Sequence, residues 1–474
     1  MSDRWTSRRK YVKLAGLAGL SSLAGCASSG DGEDGGDGGD GTESGQTTAT
    51  EEPAEDGGDG GMTTTETMED GGDGGGEYPD VLQVVGYPAS GIQIFRNYYS
   101  NYSPEDTDLL LTDGLQDADM QQQVGNPMEN ALGTAPKGAG PNRDAFASLY
   151  QDEYGETPSI FNAHTFDAVA ILALANVAAG ENSGPAIKDQ MRNVANGEGM
   201  EVGPGNIVEG INAAAQGQAV NYSGASSPTD FDERGDPAAA TYGVWEFAPD
   251  TESGVETVQS LNFTGNPGGA SADSIPGGTG RTAKVGLILP ETGDLASVGK
   301  PMIQAGELAA MVINRGDPDV EVDLQFQDTQ TSPQAGIQAA NSLINAGYAC
   351  IAGPASSGVN VPTSKQAFIP NEVVSCSPSS TALSVSFLED NDYVYRTAPS
   401  DLLQGQVQAQ VASETLGATT TSTMFVNNDY GQQLAGQYTD SFTSEHSGSV
   451  WKETPFQKEQ SSYTAVLSEA LSES

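Results

Sequence analysis

Strand-like and helix-like segments alternate along the chain from residue 81 to residue 471. The strand-like segments are short and apolar, as at 285–289, and the helix-like segments place apolar residues three and four positions apart. Alternation of this kind predicts βαβ units. The sequence is therefore expected to form an α/β fold in which parallel sheets are flanked by helices.

The pattern assigns elements along both halves of the chain. The predicted strands are 81–85, 109–111, 242–247, 285–289, 320–326, 349–353, 372–377, 393–398 and 422–426. The predicted helices are 92–99, 143–154, 166–179, 187–196, 302–313, 333–346, 405–416 and 463–471. About 400 residues of such material can build two lobes with separate cores.

A Gly-, Ser- and Pro-rich stretch at 265–280 divides this material into two blocks. Runs of these residues between periodic segments are typical of linkers. The predicted division is a first block at 78–262, a linker at 263–282 and a second block at 283–474.

The first 26 residues have the features of an export signal. Arg8 and Arg9 form a twin-arginine pattern, and the apolar run at 14–23 is far shorter than the ~20 residues needed to cross a bilayer. The run ends in Leu-Ala-Gly followed by Cys26, a lipobox in which the thiol of Cys26 accepts a lipid. We expect a lipid-anchored protein on the extracellular face of the membrane.

Residues 27–77 are mostly Gly, Asp, Glu and Thr. Such a segment buries too little apolar surface to offset the entropy of ordering, and its like charges extend it. It is predicted to be a disordered acidic tether between the lipid anchor and the folded blocks.

The formal charge of the chain is -46, from 19 basic and 65 acidic residues. This balance excludes nucleic acid as a partner, because such binding requires basic side chains to neutralise phosphates. A strongly acidic composition is typical of proteins adapted to high salt, as in haloarchaea, and it says nothing about the ligand.

Few residues are available for metal or catalytic chemistry. Cys350 and Cys376 lie in apolar strand-like segments and are read either as two buried thiols or as a disulfide, and His164 and His446 are the only histidines. No phosphate-binding loop or nucleophile elbow occurs. We expect no metal, no cofactor and no enzymatic activity.

Several motifs resemble those of the branched-chain amino acid binding proteins of ABC transporters, which have the type I periplasmic binding fold. They are 285–299, Asp328 with Pro333 and Ala335, Gly-Pro-Ala-Ser-Ser at 353–357, Ser-Pro-Ser-Ser-Thr at 377–381, Asn-Asp-Tyr-Gly at 428–431, Val-Val-Gly-Tyr-Pro at 84–88, 113–114, 161–167 and 242–247. Their order is that of the family, but with the two halves exchanged. The resemblance therefore implies a circularly permuted, two-lobed fold.

The resemblance also implies a division into lobes. Lobe 1 would contain about 137–236 and 283–398, and lobe 2 about 79–134, 238–262 and 400–474. The chain would cross between the lobes near residues 135, 237 and 399. In such a permutant the strand at 81–85 must join the same sheet as the strand at 422–426, and residues 78 and 474 should lie within roughly 15 Å of each other.

The resemblance places the ligand between the lobes and assigns roles to seven residues. Ser357 and Thr381 would donate to a ligand carboxylate, and the backbone carbonyl of Ser379 would accept from the ligand ammonium. For a Ser-rich turn, helix capping is the alternative reading. Asp113 would supply the charge that faces the ammonium.

The remaining assigned residues would enclose the ligand. Tyr87 and Tyr430 would cover it from lobe 2, and Phe161 would contribute to the pocket for its side chain. Val298 and the pair Pro354-Ala355 depart from the family pattern in the wall of this site. An amino acid ligand is therefore expected, with a branched-chain side chain as one option.

The function implied is capture of an amino acid by a substrate-binding lipoprotein that delivers it to the permease subunits of an ABC importer. The alternative is a surface sensor or a binding protein for amides, urea or aromatic acids, because fold alone does not fix function.

Overall fold

The computed structural model describes residues 78–251, 253–269 and 274–473. The twin-arginine pattern, the lipidation site at Cys26, the tether and residue 474 lie outside these ranges. The predictions made for them therefore stay predictions.

The first block contains more elements than the pattern assigned. In chain order they are β1 (Val81–Val85), α1 (Pro88–Asn101), β2 (Asp108–Leu111), α2 (Met120–Val124), β3 (Ala131–Pro136), α3 (Arg143–Tyr154), α4 (Asn162–Ala179), α5 (Gly184–Ala195), β4 (Met200–Val202), α6 (Ile207–Ala215), β5 (Val220–Tyr222), β6 (Ala239–Phe247) and β7 (Val255–Thr264). A short 3-10 turn, Asp113–Leu115, follows β2.

The second block follows the predicted rhythm closely. Its elements are β8 (Thr282–Leu289), α7 (Ala296–Arg315), β9 (Glu321–Asp328), α8 (Pro333–Asn345), β10 (Cys350–Ala352), α9 (Ser357–Thr363), β11 (Val374–Ser377), α10 (Leu383–Ser386), β12 (Val394–Arg396), α11 (Asp401–Gln410), β13 (Thr420–Val426), α12 (Asp429–Ser444), β14 (Ser449–Phe456) and α13 (Thr464–Ala470).

Polar side chains cap two helices at positions that the sequence pattern did not assign as helix starts. Helix α11 begins at Asp401 and not at residue 405, since the Ser400 hydroxyl accepts a hydrogen bond from the Leu402 amide. The Asn428 side chain accepts from the Gly431 amide and starts α12, a helix that periodicity alone did not assign.

The strands form two principal sheets and so confirm the two-lobed α/β fold. Lobe 1 contains the five-stranded sheet, in the order β12-β11-β10-β8-β9, and all its pairings are parallel. Lobe 2 contains the seven-stranded sheet, in the order β14-β13-β1-β2-β3-β6-β7. Strands β4 and β5 form a small parallel pair of their own.

The sheet of lobe 2 is not wholly parallel. Strands β14 to β3 run parallel, but β6 and β7 form an antiparallel hairpin at one edge. The last strand to which the sequence pattern gave bounds in the first block is 242–247, and β7 follows it. Strand β7 is largely exposed and mixes polar with apolar residues, so it gives no buried-strand signal.

Strand β1 lies in the middle of the lobe 2 sheet. It pairs in parallel with β2 on one side and with β13 on the other, where Val81 is opposite Thr421. The Asp80 carboxylate accepts hydrogen bonds from the amides of Thr419 and Thr420 at 2.9 and 3.0 Å. The two ends of the described chain are thus joined within one sheet.

The core of lobe 1 is organised around α4. Every residue of this helix is buried, and the helix packs between the sheet and neighbouring helices. Within the described residues, no single helix has the length and composition to cross a membrane. Only α4 and α5 taken together satisfy those criteria, and they are bent by 115°.

Cys350 and Cys376 lie in the adjacent strands β10 and β11 and are both free and buried. The structure therefore shows the two buried thiols and not the disulfide. Burial raises the pKa of both thiols, so they are protonated and unreactive at neutral pH.

The chain passes between the sheets in short connections. They cover 137–142, between β3 and α3, 223–238, between β5 and β6, and 397–400, between β12 and α11. A further connection, 265–281, joins β7 to β8 and includes residues outside the described ranges.

Candidate functional site

A small cavity lies between the two lobes. It contains six of the seven ligand-binding residues predicted from the sequence, the exception being Thr381. The residues lining it are Tyr87, Asp113, Gly114, Phe161, Leu295, Val298, Ala355, Ser356, Ser357, Ser379 and Tyr430.

Most of its polar residues follow the carboxyl ends of parallel strands. Tyr87 follows β1 and Asp113 follows β2, both in lobe 2, while Ser357 follows β10 and Ser379 follows β11 in lobe 1. Parallel strands bring these loops to one edge of each sheet, which is where open α/β sheets bind ligands. The cavity is therefore a product of the topology.

Asp113 supplies the only carboxylate among the lining residues. It is 3% exposed, and its Oδ1 accepts from Gln404 Nε2 at 2.8 Å and from the Tyr430 hydroxyl at 2.9 Å. Burial raises the pKa of Asp113 to about 6, against the opposing effect of these two donors. Both donors reach the same oxygen, so Oδ2 is available to a ligand cation.

Two tyrosines form the lobe 2 side of the cavity. The rings of Tyr87 and Tyr430 are stacked, with centroids 5.7 Å apart. The Tyr87 hydroxyl lies 2.7 Å from the Ser356 hydroxyl of lobe 1 and accepts from Asn428 Nδ2 at 3.0 Å. Tyr87 thus links the two lobes directly.

The hydroxyls of the lobe 1 serines Ser357 and Ser379 differ in whether their protons are already used in hydrogen bonds. Ser357 Oγ accepts from the Ala382 amide at 3.1 Å, which leaves its own proton free to donate. The Ser379 hydroxyl donates to the Ala355 carbonyl at 3.2 Å and is already engaged. Ser357 is therefore the better placed of the two to donate to an anion.

Thr381 does not line the cavity. It is fully buried, its carbonyl accepts from the Asp401 amide at 2.8 Å, and no described group forms a hydrogen bond with its hydroxyl. Its predicted role as a carboxylate donor stays a prediction, and it has the least geometric support of the seven.

One wall of the cavity is apolar. It consists of Phe161, Leu295, Val298 and Ala355, each at most 5% exposed. Phe161 has a φ of 62° immediately before α4, a left-handed conformation that is uncommon for a bulky residue and that clusters at functional sites. The cavity is thus charged on one side and apolar on another.

Other interlobe contacts surround the cavity. The Ser90 hydroxyl in α1 donates to both carboxylate oxygens of Asp294 in lobe 1, at 2.9 and 2.8 Å. Lys458 Nζ, after β14, donates to the Thr331 carbonyl at 2.6 Å. These contacts hold the lobes together in a closed arrangement.

Sequence reasoning missed some residues that build the site. Ser356 has the same signal as its neighbour Ser357 and could have been named with it. Gln404 and Asp401 lie on α11, behind Asp113, and no motif marks them. Leu295 precedes α7 and has only its apolar character.

The groups considered for catalysis or metal binding lie elsewhere. Burial lowers the pKa of His164 to about 3, so it is neutral at physiological pH, and it does not line the cavity. Across the described ranges, no group of three or more His, Cys, Asp or Glu residues is placed to hold a metal ion.

Comparisons with known proteins find similarity over part of the chain. Residues 282–474 match the family of periplasmic binding proteins. The chain is 30% identical over 158 residues to Leu/Ile/Val-binding protein homolog 3 of Brucella melitensis, covering 32% of this chain and 42% of that protein. It is 28% identical over 156 residues to Leu/Ile/Val-binding protein BraC3 of Rhizobium johnstonii, covering 32% and 42%.

Solved structures are similar over a comparable extent. A leucine-binding protein from Thermotoga maritima is 26% identical, with a TM-score of 0.35, over 40% of this chain and 53% of that one. A branched-chain amino acid transporter substrate-binding protein from Streptococcus pneumoniae, in complex with isoleucine, is 22% identical, with a TM-score of 0.36 and the same coverage.

The sequence match spans less than half the length of either relative from Brucella or Rhizobium. The family match at 282–474 contains several of the motifs that carry the resemblance, from β8 to the start of α12. Residues 282–474 of this chain are therefore similar to the periplasmic binding protein family.

Proposed function

We propose that this protein captures a free amino acid between its two lobes. The observation that carries the proposal is the position of Asp113, a buried carboxylate with one oxygen available, in a cavity that also has an apolar wall. An ammonium group beside Asp113 would form a charge-assisted hydrogen bond away from water. The proposal is one of capture and release, with no chemical step.

The rest of the cavity suits the other two parts of an amino acid. The free hydroxyl proton of Ser357 lies in lobe 1 and could donate to the carboxylate. The side chain would then face Phe161, Leu295 and Val298. An aliphatic side chain fits this apolar wall better than a charged one, because a charge buried there would lack a partner.

We further propose that the protein delivers its ligand to an ABC importer from the extracellular face of the membrane. The support is the family of residues 282–474, the names of the relatives and the export signal that ends at Cys26. Lipid on Cys26 would anchor the protein and would be the protein's only attachment to the membrane. The tether would let the lobes reach the permease subunits.

We also propose that the fold is a circular permutant of its family. Support comes from the exchanged order of the motifs and from β1, which pairs with β13 as a permuted chain requires. A rearranged chain that places 78–264 after 282–473 through a short linker should fold and bind the same ligand. Failure of that chain to fold, when the native order folds, would contradict the permutation.

Calorimetry with Asp113→Asn tests the binding site. The variant keeps the shape of the side chain but removes the charge opposite the ammonium, which should cost about 2 to 5 kcal/mol, or about thirtyfold or more in Kd. Asp117→Asn removes a charge from the same loop outside the cavity lining and is the matched control.

The pH dependence of binding adds a second readout. Because the pKa of Asp113 is raised to about 6, wild-type affinity should fall as the pH drops through that value and the carboxylate becomes neutral. Asp113→Asn should lose this dependence. Full affinity in Asp113→Asn, or binding of aromatic acids in place of amino acids, would refute the proposed site and ligand.

A further inference from the structure

A second carboxyl group lies behind Asp113 and has no hydrogen-bond donor. Asp401, the first residue of α11, is fully buried, and neither of its carboxyl oxygens forms a hydrogen bond with any described group. An ionised carboxylate left in this state would carry a large desolvation cost. An ionised Asp401 is therefore unfavourable in this position.

The nearest cation is fully engaged elsewhere. Arg396 donates through Nε and Nη2 to the two carboxylate oxygens of Asp236, at 2.6 and 2.8 Å, and through Nη2 to the Ser386 hydroxyl at 2.6 Å. Its Nη1 donates to the carbonyls of Ser380 and Ala382, each at 3.1 Å. These contacts use all five guanidinium N–H groups, so none is left for Asp401.

The side chain of Gln404 also has an unsatisfied atom, an acceptor oxygen to which no described group donates. Its Nε2 donates to Asp113 Oδ1 at 2.8 Å and to the Thr134 carbonyl at 3.1 Å, which fixes the orientation of the amide. Its Oε1 is buried and accepts no hydrogen bond from the described residues. Gln404 lies three positions after Asp401, and side chains at this spacing are neighbours on a helix.

None of the hydroxyl groups around Asp401 donates a hydrogen bond to its carboxyl oxygens. The Tyr242 hydroxyl donates to the Ser400 carbonyl at 2.8 Å, and the Tyr430 hydroxyl donates to Asp113. The titratable and charged groups that act on Asp401 are Asp113 after β2, Arg396 in β12, Tyr242 in β6 and Tyr430 in α12. The Thr381 hydroxyl lowers the pKa of Asp401, against the effect of burial, but it forms no hydrogen bond in the structure.

We propose that Asp401 is a neutral carboxylic acid at physiological pH and that its O–H donates to Oε1 of Gln404. The acid would then hold the Gln404 amide with Nε2 aimed at Asp113, and the chain Asp401–Gln404–Asp113 would leave one negative charge, that of Asp113, at the cavity. Asp401 is thus a positioning residue, and its effect on the ligand rests on the proposed function.

The pKa shifts agree with this assignment. Burial, followed by the negative charge of Asp113, raises the pKa of Asp401 well above its ordinary value. Two carboxyl groups this close in a dry environment do not both ionise readily. The proton therefore resides on Asp401, which has no donors, and not on Asp113, which has two.

Infrared spectroscopy tests the protonation state without any ligand. The difference spectrum of the wild type minus Asp401→Asn, at pH 7, should contain the C=O stretching band of a protonated carboxyl group. A carboxylate band in its place would overturn the proposal. If the wild type bound no amino acid, the proposed function would fail while this spectrum would still decide the state of Asp401.

Stability as a function of pH gives an independent measurement. The folded state of the wild type binds a proton that the unfolded chain releases, so its stability should fall as the pH rises from the unfolded pKa of about 4 through the raised folded pKa. Asp401→Asn removes the titrating group, so the variant lacks this decrease in stability with rising pH. The Tm of the variant minus that of the wild type should increase between about pH 5 and pH 8, and a decrease would overturn the proposal.

Binding distinguishes positioning from charge. Asp401→Ala, which leaves Gln404 Oε1 without a donor, should weaken ligand binding by about tenfold, and Asp401→Asn, whose amide can donate to Oε1, should recover most of that loss. If Asp401→Asn instead bound as weakly as Asp113→Asn, Asp401 would be acting as a second negative charge. The infrared and Tm measurements on Asp401→Asn decide the case even if Asp401→Ala does not fold.

Discussion

Tyr430 contributes to the cavity in two separate ways. Its ring stacks on Tyr87, and its hydroxyl donates to Asp113 Oδ1 at 2.9 Å and lies 2.8 Å from the Thr112 hydroxyl. The ring shields the site from water, while the hydroxyl helps to keep Asp113 ionised. These contributions can be separated because phenylalanine retains the ring.

Tyr430→Phe should weaken amino acid binding by about threefold to tenfold, the effect of losing one hydrogen bond. It should also move the midpoint of the pH dependence to higher pH, since Asp113 loses a donor that stabilises its charge. Titration calorimetry over a range of pH measures both effects. The control is Tyr438→Phe, which removes a hydroxyl bonded to Thr421 inside lobe 2. An equal loss of affinity in the control would contradict the assignment.

At the scale of elements, α1 has an unusual cap. Its N-cap residue, Tyr87, makes no side-chain capping bond, and the first turn contains no acidic residue. Asp294 of lobe 1 takes that place, since it accepts from the Ser90 hydroxyl and its carbonyl accepts from the Ala89 amide at 3.3 Å. A helix of one lobe is therefore capped by the other, and the cap exists only when the lobes are closed.

Ser90→Ala should consequently weaken ligand binding, although Ser90 does not line the cavity. The substitution destabilises only the closed state, by about 0.5 to 1.5 kcal/mol, and so lowers the affinity by roughly twofold to tenfold. Ser100→Ala, which removes an exposed hydroxyl from the same helix, is the control. Calorimetry and small-angle scattering together check the idea, and unchanged affinity with unchanged ligand-induced compaction would contradict it.

The sequence was sufficient to predict the elements that pack by apolar periodicity and the loops that follow strands. Tyr87, Asp113 and Ser357 could be named because the resemblance to a family assigned them roles, and all three follow strands whose ends converge at one edge of a sheet. Strand β7 could not, because one of its faces is exposed and polar. Gln404 could not either, because its partners Asp113 and Thr134 come from the other block of the chain. Asp401 could not, because only the folded structure shows that its carboxyl oxygens lack donors.

At the scale of the molecule, the formal charge of -46 is the dominant electrostatic property. Like charges at this density repel one another in the compact state. Salt screens that repulsion, with a Debye length that falls to about 3 Å at 1 M ionic strength.

The Tm should therefore rise when KCl is increased from about 0.1 M to about 2 M, as followed by circular dichroism. Screening requires ions, so an uncharged osmolyte such as sucrose, which stabilises by exclusion from the surface, is the comparison. A Tm that is insensitive to KCl, or that falls with it, would show that charge repulsion does not limit the stability of this protein.

The central position of β1 has a consequence for biosynthesis. Its neighbour β13 lies about 340 residues further along the chain, as the bond from Thr421 to the Val81 carbonyl shows. The ribosome synthesises β1 long before β13 and β14, so the larger sheet can form only late in translation. Until then, the edge of β1 that pairs with β13 has no partner strand. Such non-local pairing is slow and exposes the chain to aggregation. A cell that makes this protein has reason to shield the nascent β1 until the sheet has closed.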